Sequence, residues 1–170
     1  MDAHSPDRRR PHHFARERYE VERQPVWFTS CTHDRRPSLV TGAAPAILAQ
    51  VLTDRALTCG CALTAWCIMP DHLHLLGYVH APGGSTWRMM ESIRRLSARL
   101  LARLGLPTPI WQRDFWDRHV RDHENLVEVI DYILDNPIRV GLCARREDWP
   151  HWAFFGNANP YVGHGDGGGL

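Results

Sequence analysis

Residues 61–79 most restrict what this chain can fold into. C-A-L-T-A-W-C-I-M and H-L-H-L-L-G-Y-V are two strand-forming runs with only Pro70 and Asp71 between them. A proline-marked link that short sends the chain straight back, so the runs are expected to pair as an antiparallel hairpin. Alternation assigns faces within the second run: Leu73, Leu75, Gly77 and Val79 point one way, and His72, His74, Leu76 and Tyr78 the other. One face is greasy, and the other, carrying the histidines, is expected to be open.

The remaining segments arrange themselves around that hairpin. V-W-F-T-S-C-T after Pro25 reads as a strand, ended by D-R-R-P-S. Ala46, Ile47, Val51, Leu52, Ala56 and Leu57 recur at helical spacing until Gly60. After the glycine turn at 82–85, residues 86–104 form an amphipathic pattern with Met89, Ile93, Leu96, Leu100 and Leu104 inward. Residues 110–121 read as a charged strand. Residues 123–136 read as a second amphipathic helix, with Leu126, Val129, Ile130 and Ile133 inward and Pro137 ending it at Asn136. Strand, helix, strand, strand, helix, strand is the βαββαβ order of a ferredoxin-like or RRM-like antiparallel sheet, an α+β fold with its first two helices on one face and an additional helix. At 170 residues, 44% hydrophobic and 23% charged, there is material for one such domain and not two. Residues 25–156 are its expected extent, after a basic arm at 1–24 and before a glycine-rich tail at 157–170 that has too little apolar content to pack.

Composition narrows the setting. The five cysteines are odd in number, no C-x-x-C pair occurs, and the first ten residues are polar, which points to reduced thiols in a cytoplasm rather than disulfides or a structural zinc. No apolar run approaches the roughly 20 residues of a membrane span. The net charge of +1 supplies no global attraction for a polyanion. Every basic residue is arginine. That fork suits phosphate, although the base composition of a guanine/cytosine-rich genome accounts for it equally well.

Two histidines at i and i+2 on a strand project from one face and can hold one cation. Alone, such a pair is most often solvent-facing and unliganded; an uncovered sheet face with room for substrate raises the metal reading. Tyr132 lies late in the last helix, and Asn136, four residues on, shares its face and can reach the same cation with an amide oxygen. Mg²⁺ or Mn²⁺ so held would polarise a phosphodiester. Tyr132 would be the nucleophile, its phenol, with an ordinary pKa of about 10, requiring help to deprotonate.

C-I-M-P-D-H-L-H-L-L at 67–76, F-W-D-R-H-V-R-D at 115–122 and D-Y-I-L-D-N-P-I-R-V-G-L at 131–142 closely resemble the REP-associated tyrosine transposases, domesticated relatives of the insertion-sequence-200-like single-strand transposases. The resemblance spans residues 9–155. It implies that His72 and His74 are the histidines of the HUH motif, Tyr132 the single catalytic tyrosine and Asn136 the third metal ligand. It further implies cleavage of single-stranded DNA beside hairpins of repetitive extragenic palindromes, through a 5′-phosphotyrosine and a free 3′-hydroxyl, by a monomer or a homodimer. The exit reads W-A-F where the family usually has W-S-S, which puts tail contacts in doubt rather than chemistry.

The helix at 86–104 carries five arginines against Glu91, a local +4 expected to lie beside the site. Arg88, Arg95, Arg99 and Arg103 read as a solvated face or, given DNA, as phosphate contacts. Arg118 is a further candidate contact, and Trp111 a candidate base-stacking platform. Two other readings stay open: a hairpin-binding module without strand transfer, and a hydrolytic phosphoesterase using the histidines as acid and base.

Overall fold

The computed structural model describes residues 13–121 and 123–156. Five strands form one antiparallel sheet: β1 (Val26–Cys31), β2 (Cys61–Ile68), β3 (His72–Val79), β4 (Trp116–His119) and β5 (Trp152–Phe154), in the order β4-β1-β3-β2-β5. The first four follow the ferredoxin-like order, and β5 adds an edge strand to it. The hairpin forms as its spacing dictates, with Met69 N–H donating across the Pro70-Asp71 turn to the His72 carbonyl at 2.8 Å.

Helices α1 (Ala44–Thr58) and α2 (Thr86–Arg103) cover the face of Phe28, Leu73 and Leu75, making the larger core. Pro45 opens α1 where its missing N–H costs nothing, and Gly60 at φ +67° ends it. The Ser85 hydroxyl caps α2 by accepting from Arg88 N–H. The buried stripe of α2 is Thr86, Met89, Met90, Ile93, Ser97 and Leu101. Leu96 and Leu100 are only partly covered and Leu104 is 45% exposed, so the inward face is rotated from the leucine row. Ser97 causes this: it faces in because its Oγ accepts the Trp111 indole N–H at 3.0 Å.

Helix α3 (His123–Leu134) packs on the opposite face, where Leu126, Val129 and Ile133 meet Ala65, Cys67, Leu76 and Val120. The histidine face is therefore covered, not open: all of β3 is buried on both sides. Asn136 does not end α3. It begins a separate short helix, α4 (Asn136–Arg139), because Pro137, which has no N–H to give, sits in that helix's first turn.

Two further expectations are corrected. Residues 110–115 do not join the β4 ladder beyond an isolated bridge from Trp111 to Thr32. The neighbours Ile110 and Trp111 both enter the α1/α2 core, which a period-two strand cannot arrange. Within the expected arm, residues 13–24 pack: Tyr19 is buried and donates to Asp117 at 2.8 Å, while His13 Nδ1 lies 2.6 Å from the same carboxylate. Residues 1–12 and the glycine-rich tail lie outside the described residues.

Candidate active site

The register of the sheet builds the site before any side chain is placed. On β3, His74 stands opposite Thr29 of β1 and Cys67 of β2, and His72 stands opposite Cys31. Both imidazoles then rise toward α3 and α4, with their Nε2 atoms 3.1 Å apart. At 9% and 4% exposure, neither is the solvent-facing pair that the default reading describes.

Each ring is held by its other nitrogen. His72 Nδ1 donates to Asp71 Oδ1 at 2.7 Å, and Asp71 is gripped in turn by Arg35 Nε at 2.9 Å. A carboxylate only accepts, so this bond places a proton on His72 Nδ1 and turns Nε2 toward His74. Burial pushes the Asp71 carboxyl up, but the His72 hydrogen bond and the charges of His72 and Arg35 hold it below its ordinary value of 3.8. His74 Nδ1 lies 2.9 Å from Thr29 Oγ1. A hydroxyl can donate or accept, so it serves either His74 tautomer. Burial first, then the fields of His72 and Arg35, keep His74 well below 6.5 against a hydrogen bond that His74 donates to Asn136, so the imidazole is neutral at neutral pH.

Tyr132 and Asn136 arrive from the other side. The Tyr132 ring centroid lies 6.0 Å from that of His74 and 5.1 Å from that of Trp27, and the Arg139 guanidinium sits 5.0 Å over its free area. Asn136 is buried against His74. Arg146 ties the segment after α4 back to Asp131 of α3 at 3.2 Å and to Asp135, between α3 and α4, at 2.8 Å. All four residues singled out for chemistry thus converge.

The candidate DNA contacts divide. Arg88, Arg95, Arg99 and Arg103 are exposed on α2, in the layer across the sheet from His72 and His74, so the +4 patch is not beside the site. Trp111 is 7% exposed with its indole N–H satisfied by Ser97, and offers no stacking face. Arg118 lies opposite Trp27 in the β1–β4 ladder, hence on the face of the site.

Thr29, Trp27, Arg35 and Arg139 were not singled out from the sequence. Thr29 and Trp27 become neighbours of His74 only through strand register, which no local pattern encodes. Asp71 did carry a signal, since it directly precedes the first histidine.

The donor set fits a divalent cation. Two imidazoles present converging Nε2 atoms, their Nδ1 atoms are secured by outer partners, and a carboxamide adjoins them.

Comparison with known proteins gives one consistent result. The model of the family described as "Transposase IS200 like" matches residues 20–134. A protein of Escherichia coli named REP-associated tyrosine transposase is 27% identical over 145 residues, which are 81% of this chain and 80% of that protein. A Haemophilus influenzae protein whose name places it in the same group is 30% identical over 100 residues, 53% of this chain and 57% of that protein's length. Among solved structures, a REP-associated tyrosine transposase bound to a REP hairpin superposes with a TM-score of 0.69 at 22% identity, covering 82% of this chain and 81% of that one.

Proposed function

The chain belongs to the IS200-like transposase family, and we propose that it is a metal-dependent single-stranded DNA endonuclease and strand transferase acting at REP-type hairpins through a 5′-phosphotyrosine. The observation that carries this reading is the convergence of the His72 and His74 Nε2 atoms, 3.1 Å apart, with Asn136 against His74 and the Tyr132 ring beside it.

His72, His74 and Asn136 would hold Mg²⁺ or Mn²⁺, which when bound withdraws charge from a phosphodiester and lowers the cost of attack at phosphorus. Tyr132 Oη then attacks. The phosphorus–oxygen bond to Tyr132 forms as the bond to the 3′-oxygen breaks, and that oxygen leaves as the free 3′-hydroxyl with a proton. Rejoining runs the exchange backward, so no water or nucleotide cofactor is consumed. Arg139, 5.0 Å over the ring, would hold the Tyr132 side chain by a cation–π contact. The covering of the site by α3 limits water that would otherwise compete for the phosphotyrosine. All five cysteines are free, which fits the reducing cytoplasm such chemistry on chromosomal DNA would require.

The test is a denaturing gel of the protein mixed with a labelled hairpin oligonucleotide and Mn²⁺. A covalent adduct is expected with the native chain and not with Tyr132→Phe. Hairpin binding with no adduct in either metal would favour a binding module, and multiple turnover to a free 5′-phosphate would favour a hydrolase.

A further inference from the structure

A second pocket of about 260 Å³ opens at the β4 edge of the sheet, lined by Phe14, Arg18, Arg118, His119, Arg121 and Asn125. Among the described residues, none of its three guanidiniums is held by a carboxylate. His119 is 8% exposed, yet its Nε2 is buried with no hydrogen-bond partner. An orphaned buried nitrogen of this kind is costly, and three unpaired arginines around it repel one another. Asp117, whose field reaches His119, has its two oxygens engaged by Tyr19 and His13 rather than by these arginines. A lining of three guanidiniums and an imidazole suits an anion with several acceptor oxygens.

The pocket also has an apolar wall. Phe14 is 39% exposed, packs edge-on against the His119 ring at 4.5 Å, and has Arg18 5.8 Å from its ring centre. An exposed aromatic face beside a cluster of guanidiniums accommodates a base next to a phosphate. Arg118 joins this pocket to the candidate site, since it stands opposite Trp27, which touches Tyr132. β4 and β3 are two strand spacings apart, about 10 Å.

We propose that this pocket binds a backbone phosphate of the unpaired DNA strand that runs to Tyr132, with Arg18, Arg118 and Arg121 supplying the charge and His119 Nε2 a hydrogen bond. The proposal rests on the DNA-processing reading and adds a second anchor outside the metal-ligand set. It fixes the strand a few nucleotides from the scissile bond and so sets which phosphate meets Tyr132.

Two measurements test it on the full chain. The first titrates the free protein with a deoxynucleoside 5′-monophosphate and follows the His119 ring signals by NMR. A saturable shift is expected in the native protein and its loss in Arg18→Ala/Arg121→Ala, both exposed positions whose replacement leaves the core intact. The second measures hairpin affinity while single phosphates of the unpaired extension are replaced by neutral methylphosphonates. Native protein should lose about tenfold at one position, as expected for a charged hydrogen bond, and the double variant should bind about tenfold weaker and be indifferent to that replacement. His119→Gln, which keeps a polar tip, should retain more affinity than His119→Leu. Equal losses at every phosphate in both proteins would overturn the DNA assignment even if the monophosphate binds. Absence of a His119 shift would overturn the pocket as a phosphate site. A native chain that binds no hairpin would defeat the functional reading itself, while the His119 titration still decides whether the pocket takes phosphate.

Discussion

Thr29 and Asp71 decide which nitrogen each site histidine leaves free, and they do it with unequal strength. Asp71 enforces one tautomer through a 2.7 Å charge-assisted bond, whereas the Thr29 hydroxyl only steers the other ring at 2.9 Å. Outer partners of this kind are worth about 10–100-fold in metal affinity. Asp71→Asn should therefore raise the Mn²⁺ concentration needed for half-maximal adduct formation by roughly that factor, and Thr29→Val by less, with hairpin binding in the absence of metal unchanged in both. The histidine pair was legible because i and i+2 on a strand share a face, whereas Tyr132 and Asn136, expected on one helical face, stand on α3 and α4 and meet His74 from two elements. Thr29 was not legible, because its partner lies 45 residues away and only the ladder brings them together. The thiols make a separate prediction. Burial pushes Cys61 and Cys67 up to about 12, so both stay protonated at neutral pH. Iodoacetamide should label Cys59 and Cys143, which are partly exposed, in the native protein, and reach Cys61 and Cys67 only after unfolding, as read by peptide mass spectrometry.

At the scale of elements, β2 and β3 formed where alternation and the Pro70-Asp71 turn required, and α1 ended close to its Gly60 signal. The misreadings share one cause, long-range contact overriding a local pattern. Ser97 looks like a polar interruption of a leucine stripe, yet it is the inward residue because Trp111 needs an acceptor. Ser97→Ala should strand the indole N–H and cost about 1–3 kcal/mol, measurable as a lowered denaturation midpoint without loss of helix content. The short β5 was read only as an exit segment, since three residues carry almost no periodicity of their own and pair with residues 65–67 only once that edge exists. Gly84 is equally silent in sequence: a Cβ there would stand 2.5 Å from the Gly60 carbonyl oxygen, so the turn entering α2 lies directly on the end of α1. Gly84→Ala should push the two apart and destabilise the fold more than an alanine in an exposed loop, where changes stay within about 0.5 kcal/mol.

For the whole molecule, the sheet separates a large core under α1 and α2 from a smaller one under α3. The layer that carries Tyr132 is the less deeply anchored, and local opening follows the smaller buried surface. Amide hydrogen exchange should be faster in α3 than in β2, β3 or α2, and should slow there when hairpin DNA and Mn²⁺ are added. The pH response has a defined sign. His74, His119 and His151 are held below their ordinary 6.5, chiefly by burial, so the unfolded chain takes up their protons first. Their contribution is full above about pH 6.5 and is lost as pH falls through the folded values; Asp71, also held low, acts in the same direction at still lower pH. The melting temperature should therefore fall between pH 7 and pH 5. A constant melting temperature across that interval would contradict the burial of these rings.

The two edges of the sheet are its shortest strands, four residues in β4 and three in β5, while the eight-residue β2 and β3 lie inside. A neighbouring chain that tried to extend the sheet would find only a brief ladder on either side, which disfavours fibrillar stacking. Protection from aggregation is thus built into the same topology that brings the histidines to the centre.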